Sequence, residues 1–132
     1  MSDEADVPRV LLRLARDDEL AARSLLPIES ITDAILGFHA QQAVEKSVKA
    51  VLAFREVEFP FTHDLDGLLE LCQGHGVEVP EELSDVDNLS PYGVQLRYGT
   101  IQPSVLDRDE ALRWAASAID WATSIIDQPT DN

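Results

Sequence analysis

Residues 38–49 read FHAQQAVEKSVK, a strongly helical segment rich in Ala, Gln, Glu and Lys. On a helix, residues three or four apart are neighbours. His39, Gln42, Lys46 and Lys49 therefore share one polar stripe. Leu36, Ala40, Ala43, Ser47, Val51 and Phe54 form a second, mostly apolar stripe on another side. A solvated face has no need of a histidine and an amide, which make directed hydrogen bonds. The polar stripe is thus a candidate working or pairing surface. The plainer alternative is a solvated face on which Glu45 pairs with Gln42 and with Lys49 one turn on.

Outward from this helix, the pattern stays helical. The full second helix starts at Thr32 or Asp33, both capable caps, and reaches Arg55. Before it, residues 7–26 read as a first helix with Val10, Leu14, Ala21 and Leu25 as its buried stripe. Arg9, Arg13, Arg16 and Arg23 lie on roughly the opposite side, interrupted by Asp17, Asp18 and Glu19. Asp18 projects near the apolar side, where a carboxylate needs a partner; Lys46 and Arg97 are the candidates.

After the second helix, Phe59, Pro60 and Phe61 mark a loop. Thr62 is the expected cap of a third helix over residues 64–73, with Leu65, Leu68, Leu69 and Cys72 turned inward and Gly74 and Gly76 ending it. Pro80 opens a fourth helix to Leu89, which restarts at Ser90-Pro91 and continues through Arg97. Asp107-x-x-Glu110 resembles a capping box and opens the last helix, which runs to Asp127. Ala111, Ala115, Ala118, Ala122 and Ile125 share its inner stripe, with Trp114 and Trp121 beside them. No strand, repeat or low-complexity tract interrupts the series. The expected fold is all-α: one antiparallel bundle of roughly four to five helices, with a core over residues 7–127 and flexible ends at 1–6 and 128–132.

The bulk numbers narrow the function. A chain of 132 residues is enough for one hydrophobic core without staples. No apolar run reaches the roughly 18 residues of a membrane span. The acidic start MSDEADVPR does not read as a signal peptide, and the single Cys72 fits a reducing compartment, so a cytoplasmic protein is expected. Ten Lys and Arg against 25 Asp and Glu give a net charge of −15, which repels phosphate backbones and argues against general nucleic-acid binding. A basic protein partner, or a site completed by a second subunit, is compatible with it.

FHAQQAVEKSVKAVL, then FPFTHDLDGLLELC, then YGVQLRYG, then the Trp- and Ala-rich last helix resemble a HEPN domain in order and spacing over residues 8–126. The resemblance implies a helical bundle that usually homodimerises and commonly accompanies a minimal nucleotidyltransferase. Several such pairs behave as toxin and antitoxin. Many HEPN proteins are metal-independent ribonucleases that use an Arg followed a few residues later by a His, near the dimer interface. Here Arg97 is followed by Tyr98 and Gly99, and no histidine comes after it; His39, His63 and His75 all precede it. An arginine alone stabilises phosphorane charge but does not transfer the proton. The chain looks like the branch of the family without the Arg…His motif.

The resulting expectation is a non-catalytic or weakly catalytic HEPN partner of a nucleotidyltransferase in a toxin–antitoxin-like pair. Arg97, Tyr98, Lys46 and Lys49 are the nucleotide- or RNA-binding candidates, and His39, Gln42 and Glu45 the dimer or partner surface. Two alternatives stand beside it. One is a HEPN ribonuclease of atypical site, with His39 or His63 doing the acid–base work. The other is a structural homodimer without ligand. His63 also has a plainer reading, as a helix-entry residue packed under the Phe59–Phe61 loop. Cys72-x-x-His75 supplies two metal-type ligands without two more nearby, so neither a metal nor a cofactor is expected.

Overall fold

The computed structural model describes residues 6–93 and 106–127. Its α-helices are α1 (Val7–Leu25), α2 (Asp33–Phe54), α3 (Leu65–Gly74) and α4 (Arg108–Ile126), and no strand occurs among the described residues. The all-α bundle expected from periodicity is the observed class. No helix among the described residues is long and apolar enough to cross a membrane.

α2 is the axis of the bundle, packing against α1, α3 and α4. Thirteen of its 22 residues are buried, including Leu36, Ala40, Val44, Val48, Val51 and Leu52. A helix buried on most sides carries little amphipathic contrast, because every face meets a neighbour. Each fully buried Val or Leu contributes about 1.5–3 kcal/mol relative to exposure. α4 supplies the opposite wall through Ala111, Ala115, Ala118 and Ala122, with Trp114 and Trp121 also buried. The small alanines let the two helices approach closely, while Trp121 Nε1 donates to the Glu78 carbonyl at 3.0 Å.

Four expectations need correction, the last at the start of α3. The fourth helix from Pro80 to Leu89 is instead two short 3-10 turns, Glu81–Leu83 and Val86–Leu89. They bury Leu83, Val86 and Leu89, and this spacing of three suits the tighter turn. Tyr92 and Gly93 are helical, and the expected continuation through Arg97 lies outside the described residues. The buried side of α1 is Leu12, Ala15 and Ala22, while Leu14 is 40% exposed. Phe54, placed by its spacing on the apolar stripe of α2, is likewise exposed.

The helix ends are set by specific bonds. Thr32 caps α2 by accepting from the Ile35 amide, and Asp107 caps α4 by accepting from the Glu110 amide. The cap of α3 is Asp64 rather than Thr62: its carboxylate accepts from the Gly67 amide, and Thr62 Oγ1 accepts from the Asp64 amide. α3 closes with Val77 N–H on the Cys72 carbonyl and Gly76 N–H on the Gln73 carbonyl, with Gly76 at φ 83°. α2 closes with the same pair of bonds, from Val57 to Leu52 and from Glu56 to Ala53, but the left-handed residue is Glu56 at φ 59°. A side chain there costs about 1 kcal/mol that glycine does not incur. Glu56→Gly is therefore expected to stabilise the fold by about 1 kcal/mol, and Gly76→Ala to destabilise it by a similar amount, both read by urea unfolding.

Candidate functional site

The centre of α2 carries charge where a core helix ordinarily carries none. Glu45 is 4% exposed and Lys49 9%. One turn apart, they face each other, with Lys49 Nζ donating to Glu45 Oε2 at 2.7 Å. The other oxygen, Oε1, accepts from Gln41 Nε2 at 2.7 Å and meets His63 Nδ1 at 2.8 Å. Gln42 Nε2 donates in turn to Gln41 Oε1 at 2.8 Å. Burial opposes ionisation of Glu45, but hydrogen bonds from Lys49, Gln41 and His63 outweigh it and hold the carboxyl below the usual Glu range. Glu45 is thus a buried carboxylate that ties α2 to the loop entering α3.

A second node of the same composition joins α1 to α2. Asp18 Oδ1 meets His39 Nδ1 at 2.9 Å, and Asp18 Oδ2 accepts from Lys46 Nζ at 2.6 Å. The carboxylate is mostly buried, which explains how an acid sits near the apolar side of α1. Lys46 was one of its two expected partners. The polar stripe of α2 therefore divides: His39 and Lys46 turn to Asp18, whereas Gln42 and Lys49 join Glu45.

Each node has a carboxylate holding one imidazole by Nδ1 and one ammonium. Two chemical consequences follow. Each lysine charge is matched inside the fold, so a phosphate reaching Lys46 or Lys49 competes with a carboxylate already in place. In the neutral form an imidazole so placed donates through Nδ1 to its carboxylate, which leaves Nε2 as an acceptor. The His39 and His63 side chains are about one-third exposed, at 30% and 34%.

Two close approaches press the chain after Leu89 onto this helix. A Cβ on Gly37 would fall 2.5 Å from Cδ1 of the Tyr92 ring, and one on Gly93 would fall 2.7 Å from the Gln41 amide carbon. Gly93 thus lies directly on the side chain that donates to Glu45. Above Lys49, the rings of Phe59 and Phe61 have centroids 5.7 and 5.9 Å from its ammonium.

The other candidates fall elsewhere. Arg97 and Tyr98 lie outside the described residues. Of the α1 arginines, Arg9 reaches Asp127 and the Ile126 carbonyl at the end of α4, and Arg16 donates to Thr123 Oγ1, so part of the stripe ties helices together. Arg23 pairs with Glu19 on its own helix. An open groove of about 420 Å³ between α1 and α4 is lined by Arg16, Asp17, Glu19, Leu20, Arg23 and Asp120, and contains none of the residues of either node. Cys72 is fully buried, and burial pushes its thiol up to about 11.

Gln41 and the carboxylate tethers of His39 and His63 were missed by sequence reasoning. A signal for Gln41 existed: Gln41, Glu45 and Lys49 form a ladder of fourth residues on a helix otherwise too apolar to be solvated. Neither tether had one, because each joins residues about 20 positions apart in different elements.

Searches of curated proteins and of solved structures return no match. The family model of the HEPN domain matches residues 8–126, nearly the whole helical array built around α2. With that match over most of its length, the chain belongs to the HEPN domain family.

Proposed function

We propose that this chain is a non-catalytic or weakly catalytic HEPN subunit of the cytoplasm, a homodimer that partners a minimal nucleotidyltransferase in a toxin–antitoxin-like pair. The observation that carries the reading is the internal matching of the α2 cations. Lys46 is held by Asp18 and Lys49 by Glu45, so the helix spends its charge on holding the bundle together. The sequence adds that no histidine follows Arg97, and the net charge of −15 favours a protein partner over free RNA. Nucleotide or RNA contact then falls chiefly to Arg97, with Tyr98 beside it and Lys46 and Lys49 secondary. His39 and Gln42 belong to the dimer or partner face, with Glu45, 4% exposed, holding Gln42 from beneath.

Co-expression with a minimal nucleotidyltransferase is expected to give a complex that survives size-exclusion chromatography. The purified chain alone is expected to leave oligoribonucleotides intact at neutral pH. Cleavage that disappears in Arg97→Ala would overturn the reading. Replacing His39 and Gln42 together by Ala is expected to weaken the dimer in sedimentation, and an unchanged dimer constant would remove those residues from the interface.

A second reading has its own support. The Nδ1 atoms of His39 and His63 both rest on carboxylates, which is how a general base is oriented with Nε2 outward. In that case the chain is an atypical ribonuclease, and His39→Ala or His63→Ala abolishes a cleavage that the wild type shows. The structural homodimer without ligand predicts neither cleavage nor a complex.

A further inference from the structure

Phe61 is 99% exposed, an extreme for a large apolar side chain in this fold. Leaving such a ring in water forgoes about 1.5–3 kcal/mol of burial. Its backbone is nonetheless restrained, and a fixed cation lies near it. Pro60 precedes it and restricts the backbone. The Lys49 ammonium, fixed by Glu45, sits 5.9 Å from its centroid and 5.7 Å from that of Phe59. A ring carried on a restrained backbone loses less entropy when a partner closes over it. Such aromatics are the residue type that anchors protein interfaces.

The chain on either side of the ring is acidic. Glu58, Asp64 and Asp66 are all exposed, and none of them makes an ion pair among the described residues. The Asp66 carboxyl is pushed up from its ordinary value by partial desolvation and then by the negative charges of Asp87, Glu70 and Asp64. Among the described residues no ion pair compensates these carboxylates.

We propose that Phe61 is the anchor of a protein-docking surface whose occupant offers an apolar socket rimmed by arginine or lysine. The apolar ring fills the socket and the acids meet the basic rim, which speeds encounter and fixes orientation. Single-stranded RNA would also stack on an exposed ring, but its phosphates would meet these same acids. A second copy would bring the same negative charge. The surface rests on the reading of the chain as a protein partner, and it adds the place and chemistry of contact.

The test is a titration of the ¹⁵N-labelled protein with a synthetic helical-hairpin peptide whose leucine-lined groove is flanked by arginines. Binding is expected, with shift changes centred on residues 58–66. Phe61→Ser is expected to weaken it about tenfold or more without moving the melting temperature. The same peptide with glutamates for arginines is expected not to bind. No binding by the arginine peptide, binding undiminished in Phe61→Ser, or equal binding of the acidic peptide would each overturn the proposal. So would oligoadenylate binding lost in Phe61→Ser, which gives the ring to RNA, or a dimer lost in that variant, which gives it to a second copy. If wild type and Phe61→Ser co-purify equally with the nucleotidyltransferase, only this surface fails; if the wild type does not co-purify, the partner reading fails first.

Discussion

Replacing Glu45 by Ala is expected to lower the unfolding free energy by about 3–5 kcal/mol, the cost of stranding the charged partner of a buried pair. The partner is Lys49, itself 9% exposed and held at 2.7 Å. Gln41 and His63 lose the oxygen they share in the same substitution. The melting midpoint should fall by on the order of 10 °C or more. Lys49→Met is expected to cost less, because Glu45 keeps Gln41 and His63. Combining Glu45→Leu with Lys49→Met should recover part of the loss, since no charge is then left buried alone. A double substitution no better than Glu45→Ala would mean that the loss came from packing.

Acid titration separates charge from packing at the same residue. Glu45 has a folded value below its ordinary 4.5, so the fold binds the ionised form preferentially. The unfolded state then takes up a proton more readily as pH drops. The stability it contributes is full above the ordinary value, declines as pH falls below it, and is gone under the folded value. Glu45→Gln removes this dependence. Urea unfolding of wild type and Glu45→Gln at neutral pH and at successively lower pH is expected to converge on the acid side. A constant gap between the two curves would contradict the assignment.

How far the sequence carries can be judged residue by residue. α1, α2 and α4 were legible because helix-favouring residues run for 19 to 22 positions, and the ten-residue α3 because its leucines are spaced for a helix between a cap and Gly74. α1 shows where that signal degrades: Leu11, Leu12, Leu14 and Ala15 offer two overlapping stripes, and only packing against α2 and α4 selects Leu12 and Ala15. The turns at Glu81–Leu83 and Val86–Leu89 were read as one helix because three-residue and helical spacing coincide over so short a span. Among the polar residues, the local Glu45–Lys49 pair followed from spacing, and Asp18 announced its need of a partner. Its histidine did not follow, nor did the tie from Glu45 to His63. Local periodicity places a side chain on a face, and only tertiary packing decides which two faces meet.

Gly37 should be among the least replaceable residues of the chain, for a reason unrelated to backbone freedom. It lies inside α2, where alanine would ordinarily be preferred by about 1 kcal/mol. A Cβ there would stand 2.5 Å from Cδ1 and 2.8 Å from Cγ of Tyr92. Cγ is the root of the ring, and Tyr92 is 3% exposed, so the whole side chain has to move. Gly37→Val is expected to cost about 3 kcal/mol, at the upper end for overpacking. Tyr92→Ala alone leaves a cavity and costs a similar amount, about 3 kcal/mol. In the Tyr92→Ala background the Gly37→Val cost should drop below about 1 kcal/mol, because the ring it collides with is gone. Additive losses would show that the glycine serves something other than this contact. The same geometry extends to the Glu45 node, since Gly93 follows Tyr92 and lies on Gln41. Gly93→Ala should therefore displace the Gln41 amide from Glu45, moving its side-chain NH₂ resonances while leaving those of exposed Asn88 in place.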